Sequence, residues 1–218
     1  MGQKKMPDYI IDKRFNSEVD RTERVLEIAE SFGLGLDDKE FVVFDNQEIP
    51  VEQGNVVYIT GQSGSGKSVL LRELSAQMTA AGLNVADIDK VELKPIPLID
   101  QIGQNTGEAL NFLSLAGLND AYLFIRKPSE LSDGQRYRFR LAKVIESGAQ
   151  VWVADEFLAV LDRTTAKVLA YNLQRIARKT GATLMVATTH MDMVEDLDPD
   201  LYVDKRYREK ITIKAKDK

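Results

Sequence analysis

The residues best placed to do chemistry lie between Val56 and Leu71, in the stretch VVYITGQSGSGKSVLL. Gly61, Gly66, Lys67 and Ser68 fit the spacing G-x-x-x-x-G-K-[ST], with Gln62, Ser63, Gly64 and Ser65 between them. Glycines at 61, 64 and 66 permit positive φ and let backbone N–H groups close on an anion. A helix opening near Lys67 adds its own unpaired N–H groups and the positive end of its dipole. Such a loop cradles phosphates. Lys67 would reach the β- and γ-phosphates as a point charge, and the Ser68 hydroxyl would ligate Mg²⁺. A ligand-free glycine turn is the alternative, and the apolar strand before the loop and the apolar helix after it count against that alternative.

Two more stretches end at chemically useful residues. Val151 to Ala154 is wholly apolar and stops at Asp155-Glu156. In a parallel sheet covered on both faces, strands are apolar throughout and ligands bind beyond their carboxyl ends. Asp155 would then partner Mg²⁺, and Glu156 would orient or deprotonate a water attacking the γ-phosphate. Ala182 to Thr188 is a second such strand, ending in Thr188-Thr189-His190, which contains the single histidine of the chain. Its position favours a role at the ligand over a merely structural one.

These groups need elements to hold them. Val56 to Ile59 reads as a buried strand, and Leu70, Leu71, Leu74 and Met78 keep helical spacing up to Gly82. Residues 85–91 read as a short strand, and 94–104 as irregular because of Pro95, Pro97 and Gly103. A helix follows from Thr106 through Ala109, Phe112, Leu113 and Ala116. Ser132-Asp133-Gly134-Gln135 opens another helix with capping oxygens and free N–H groups. Upstream, Val25, Leu26, Ile28 and Ala29 lead to Phe32, turn at Gly33 and Gly35, and return through Phe41 to Phe44, which reads as two antiparallel strands. Phe32 or Phe44 could stack under a base, with core packing as the alternative for each. Residues before Asp20 read as a polar arm.

The chain has 218 residues, no cysteine, one histidine and a net charge of −5. Disulfides, thiolate sites and multi-histidine metal sites are therefore excluded, and any metal must be held by oxygen. No run reaches membrane-spanning length and the N-terminus lacks a signal-peptide core, so a cytoplasmic location is expected. The acidic balance argues against nucleic acid as a partner. Arg136, Arg138, Arg140 and Lys143 nevertheless cluster in one helix, and Lys205, Arg206, Arg208, Lys210, Lys214, Lys216 and Lys218 crowd the C-terminus. Both read as solvated surface.

GQSGSGKS, LSDGQ, VWVADE, LAVLD and TTH occur in that order, and in this the chain resembles the ATP-binding-cassette (ABC) ATPases from about residue 24 to 195. The resemblance implies an α/β P-loop NTPase fold with a mostly parallel core sheet, an N-terminal antiparallel β part and a short helical subdomain at about 102–147. On this reading 1–23 is an arm, 24–204 the ATPase domain and 205–218 a basic tail. LSDGQ resembles the family signature loop, residues 159–162 its D-loop, Gln101 its Q-loop glutamine and Phe32 its adenine-stacking aromatic.

The resemblance implies ATP and Mg²⁺ as ligands and a site that one chain cannot complete. Residues 61–68 would hold ATP, with Ser68, Asp155 and Gln101 at the metal. Lys67, Glu156, His190 and Gln101 would act on the γ-phosphate. Ser132, Asp133, Gly134 and Gln135 would reach the second copy's nucleotide, and Asp162 would link the two sites of a head-to-tail homodimer. Asp133 departs from the family's usual glycine and places a carboxylate near an expected phosphate; Phe157-Leu158 stand where Pro-Thr is common. The expected function is Mg-dependent ATP hydrolysis by a homodimer that drives an unidentified partner. A membrane transporter's nucleotide-binding subunit is the first alternative, weakened by the short helical insertion. A nucleotide-gated assembly module with little hydrolysis is the second.

Overall fold

The computed structural model describes residues 8–37, 39–159, 161–207, 209 and 211–216. Its strands are β1 (Tyr9–Ser17), β2 (Lys39–Ile49), β3 (Val56–Thr60), β4 (Val85–Asp87), β5 (Val151–Ala154), β6 (Thr183–Thr188), β7 (Leu201–Asp204) and β8 (Thr212–Ala215). Its α-helices are α1 (Glu23–Phe32), α2 (Lys67–Ala80), α3 (Thr106–Leu115), α4 (Ala121–Phe124), α5 (Asp133–Glu146), α6 (Arg163–Thr180) and α7 (Val194–Leu197).

The main sheet has the order β4-β5-β6-β3-β7-β8. It is parallel from β4 to β7, and β8 joins antiparallel. Burial on both faces explains the apolar runs: every residue of β3, β5 and β6 is buried. Side chains alternate across the sheet. Val57, Ile59, Val153, Met185 and Ala187 pack with Leu70, Leu74 and Met78 of α2, while Tyr58, Trp152, Ala154, Leu184 and Val186 pack with α5 and α6. Each Val, Ile, Leu or Met side chain among these, fully withdrawn from water, contributes about 1.5–3 kcal/mol. The parallel register brings the carboxyl ends of β3, β6 and β5 side by side, so the loops after Thr60, Thr188 and Ala154 share one edge.

Several expectations are corrected. Residues 23–32 form a helix, not a strand: Thr22 caps it by accepting the Val25 N–H, and Gly33 ends it at φ 63°. Val25, Ile28, Ala29 and Phe32 follow three-to-four spacing, which outweighs the short-range alternation. The stretch expected as an arm contains β1, which pairs antiparallel with β2 and buries Tyr9 and Ile11. Ion pairing of Lys13 with Glu73 (2.7 Å) and the Gln77 side-chain bond to the Ile10 carbonyl (2.8 Å) seat this hairpin on α2. The strand expected over 85–91 stops at Asp87. The C-terminal stretch is not a loose tail, because β8 pairs with β7 and Lys205 is buried. Arg208, Lys210 and Lys218, residues 1–7 of the arm, and Val160 of the D-loop stretch lie outside the described residues. Among the described residues, no helix is long and apolar enough to cross a membrane.

Candidate functional site

The loop between β3 and α2 is shaped by close approaches that only glycine permits. Gly61 has φ 143°, and a Cβ there would lie 1.8 Å from the Lys205 carbonyl oxygen. Gly66 has φ 103° and caps α2 without any side-chain hydrogen bond, so the first N–H groups of α2 are left pointing outward. Ser65 is buried, and its Oγ has no partner. An orphaned hydroxyl in a nest of N–H donors fits an oxyanion such as a phosphate. The Lys67 ammonium donates to the Gln62 carbonyl at 2.7 Å. Desolvation lowers its pKa, against the opposing charges of Asp155 and Glu156.

Ser68 Oγ donates to Asp155 Oδ1 at 2.9 Å, and the same oxygen accepts the Glu156 N–H at 3.0 Å. A hydroxyl and a carboxylate in contact fit the sparse oxygen set that Mg²⁺ takes from protein when phosphates and water supply the rest. Among the described residues, no group of three or more His, Cys, Asp or Glu is poised to hold a metal alone. Glu156 is exposed and adopts φ 51°, in the left-handed region that costs a non-glycine residue about 1–3 kcal/mol. Phe157 and Leu158, buried behind it, hold the turn, with the Phe157 N–H on the Ala187 carbonyl at 2.8 Å. A cavity of about 410 Å³ joins Ser63, Lys67, Ser68, Asp155, Glu156 and Thr189.

His190 stands at the edge of this group. The buried Tyr58 hydroxyl donates to its carbonyl at 2.5 Å, and its N–H donates to Thr188 Oγ1 at 3.2 Å, which places the backbone of the β6 carboxyl end. Thr189, not the His190 ring, lines the cavity.

Gln101 is not brought to the site. It ends a 3-10 helix (Leu98–Gln101), and its amide is occupied by the Lys94 N–H and by the Lys94 and Ile96 carbonyls. Proline at 95 and 97 leaves that loop short of backbone donors, and the Gln101 side chain supplies one. Asp87, the last residue of β4, and Asp89, two residues past it, line a second cavity together with Asp155 and Glu156. Partial desolvation and the charge of Asp87 push the Asp89 carboxyl up to about 6, against the Arg140 guanidinium. The repeated aspartates of ADID were the sequence signal for it.

Phe32 lies on α1, is 72% exposed, and takes no part in the cavity beside the phosphate loop. That cavity, about 560 Å³, runs between the β1–β2 hairpin and residues 64–66 and is lined by Phe15, Phe41 and Phe44. Phe15 and Phe41 are register partners, both partly exposed, whereas Phe44 is 3% exposed. Lys205 closes its far side, with its ammonium 5.6 Å from the Phe44 ring centre. Phe15 escaped notice because it falls in the stretch read as an arm.

Ser132, Asp133, Gly134 and Gln135 form the start of α5. Ser132 and Gln135 exchange the two bonds of a capping box, and Gly134 packs against Thr165 of α6. Asp133 is exposed, 3.5 Å from Arg136. None of the four lines the 410 Å³ cavity. Asp162 caps α6 by accepting the Thr165 N–H at 3.0 Å, and the Thr165 hydroxyl together with this N–H lowers its pKa.

A glycine-rich loop leading from β3 into α2, a hydroxyl on α2 paired with the carboxylate just past β5, and a separate capped helix carrying LSDGQ make up an α/β P-loop domain with a phosphate-binding geometry. Comparison with known proteins agrees. The chain is 26% identical over 197 residues to the methionine import ATP-binding protein MetN 1 of Oenococcus oeni, an alignment covering 73% of this chain and 55% of that protein. It is 27% identical over 200 residues to MetN of Haemophilus influenzae, covering 74% and 56%. It thus spans little more than half the length of these curated relatives. Among solved structures, the ATP-binding cassette MJ0796, in a dimeric post-hydrolysis state bound to ADP and Pi, matches with a TM-score of 0.61 at 19% identity over 81% of this chain and 92% of that one. CbiO1 of Clostridium perfringens matches with a TM-score of 0.63 at 19% identity over 76% and 80%. No family model matches the sequence.

Proposed function

We propose that the chain binds Mg-ATP and hydrolyses it as a head-to-tail homodimer whose opening and closing drives a partner protein. The single observation that carries this is the Ser68–Asp155 contact at 2.9 Å beside an exposed Glu156, in one cavity with Lys67. Mg²⁺ when bound supplies charge neutralisation at the β- and γ-phosphates. The protein's own part is positioning: N–H groups of residues 61–68 and the Ser65 hydroxyl orient the phosphates, Lys67 leaves the Gln62 carbonyl for them, and Glu156 accepts a proton from the attacking water. Phe15 and Phe41 form the platform for the base.

The dimer reading rests on separation. Ser132, Asp133 and Gly134 present a helix N-terminus to solvent while the phosphate cavity of the same chain lacks them, as expected if a second copy supplies them. Asp133 points to solvent 3.5 Å from Arg136, so its carboxylate is free to turn from a phosphate toward that cation, which is compatible with turnover.

Light scattering of Glu156→Gln with and without Mg-ATP, beside wild-type turnover, tests both parts. An ATP-dependent dimer is expected, with hydrolysis reduced about 10²–10⁴-fold. A loss below tenfold removes Glu156 from the reaction, and a nucleotide-independent monomer removes the composite site. The relatives' role in methionine import favours, as a second reading, a cytoplasmic subunit serving a membrane partner. Co-purification with a multi-spanning protein would decide for it.

A further inference from the structure

α6 contains Arg163, Lys167, Arg175, Arg178 and Lys179 and no Asp or Glu, in a chain of net charge −5. Cations suit the last turn of a helix, and Arg163 and Arg178 are matched by Asp192 and by Asp198 with Asp200. Arg175 and Lys179 have no carboxylate partner among the described residues. Arg175 instead lies over the Tyr171 ring, 5.5 Å from its centre.

Both line a groove of about 830 Å³ between α6 and the C-terminal end of α3. Arg138 enters it from α5, holding only a long 3.5 Å contact to the Gly117 carbonyl. The α6 dipole accounts for Lys179 but not for Arg138, which comes from the interior of another helix. Of its neighbours in the basic run of α5, Arg136 holds the Leu131 carbonyl, Lys143 holds Gln101 and Glu146, and Arg140 acts on the Asp89 carboxylate on the other side of the domain. Asn111, Asn119 and Asn172 add amides to the lining, Ser114 and Thr180 add hydroxyls, and no carboxylate contributes to it. α6 leads through Gly181 into the amino end of β6, so the groove lies at the end of the sheet opposite Asp155 and Thr188.

We infer that this groove docks an extended, carboxylate-rich segment of a partner protein. The cations take the carboxylates, and the amides, each able to donate and accept, pair with the peptide backbone. The acidic surface elsewhere favours a short segment confined to the groove over a nucleic-acid backbone, which needs a longer positive track. The docking is independent of nucleotide.

The test is fluorescence anisotropy at low salt with a labelled peptide of alternating Glu and Ala, compared with labelled single-stranded DNA of similar charge. The peptide is expected to bind, and Arg175→Glu with Lys179→Glu to weaken it at least about tenfold, with ATP-dependent dimerisation unchanged. The neutral pair Arg175→Gln with Lys179→Gln should weaken it less and guards against misfolding by charge reversal. Lys90→Glu with Arg126→Glu, outside the groove, should leave binding intact. Absence of peptide binding, or equal loss in this control pair, overturns the groove as the site. Tighter binding of DNA, lost with the same α6 substitutions, overturns the acidic-peptide partner.

Discussion

Substituting Gly61 by alanine tests the contact that sets the phosphate loop. The added Cβ would lie 1.8 Å from the Lys205 carbonyl oxygen and 2.8 Å from its carbon, and backbone cannot swing away as a side chain can. Relief requires β7 to part from β3 at the Lys205 N–H to Thr60 carbonyl bond, now 2.9 Å. Losing that bond costs about 0.5–1.5 kcal/mol, and holding alanine at φ 143° costs about 1–3 kcal/mol. The sum is about 1.5–4.5 kcal/mol, which for a chain of this size lowers the melting temperature by about 3–18 °C. Gly64→Ala is the control. It shares a positive φ, 73°, but its Cβ would meet nothing within 4 Å, so only the backbone cost of about 1–2 kcal/mol remains. Thermal unfolding followed by circular dichroism, with and without Mg-ATP, measures both. Gly61→Ala should also lose most of the shift that nucleotide gives the wild type, because the loop's first residue moves. Equal melting temperatures for the two variants would refute the argument that the Lys205 backbone sets the loop.

Tyr58→Phe keeps the ring but strips the His190 carbonyl of its 2.5 Å donor; a loss of about 1–3 kcal/mol in urea unfolding is expected, together with slower ATP turnover. Phe41→Ala should weaken ATP binding by about 1–3 kcal/mol in calorimetry, whereas Phe32→Ala, on the exposed face of α1, should leave it unchanged. Asp162 is held below its ordinary carboxylate value by the Thr165 hydroxyl and, next, the Thr165 N–H. Its stabilisation is therefore complete above the unfolded value and lost as pH falls through the depressed folded one. Asp162→Asn should show a flatter melting temperature across that acid window, and parallel curves for the two proteins would count against the cap.

The local chemistry was legible in the sequence wherever backbone and side chain act within a few residues. The phosphate loop, the Asp155-Glu156 strand end and the Ser132 cap all follow from residue types at short fixed spacing, and burial on both faces makes β3, β5 and β6 readable as apolar runs. Gly33 was legible as a turn, but alternation at Val25, Leu26 and Ile28 pointed to a strand where the chain forms α1; a helix carrying an exposed apolar face blurs that distinction. What needed tertiary structure were contacts between distant segments. Lys205 touches Gly61, Phe15 faces Phe41, and Arg138 shares a groove with Arg175 only because sheet order and helix packing bring them together. Gln101 makes the same point. A glutamine near the expected position is easily matched to a motif, but its amide goes to the backbone of a proline-bearing loop, whose needs are set by how the chain turns there.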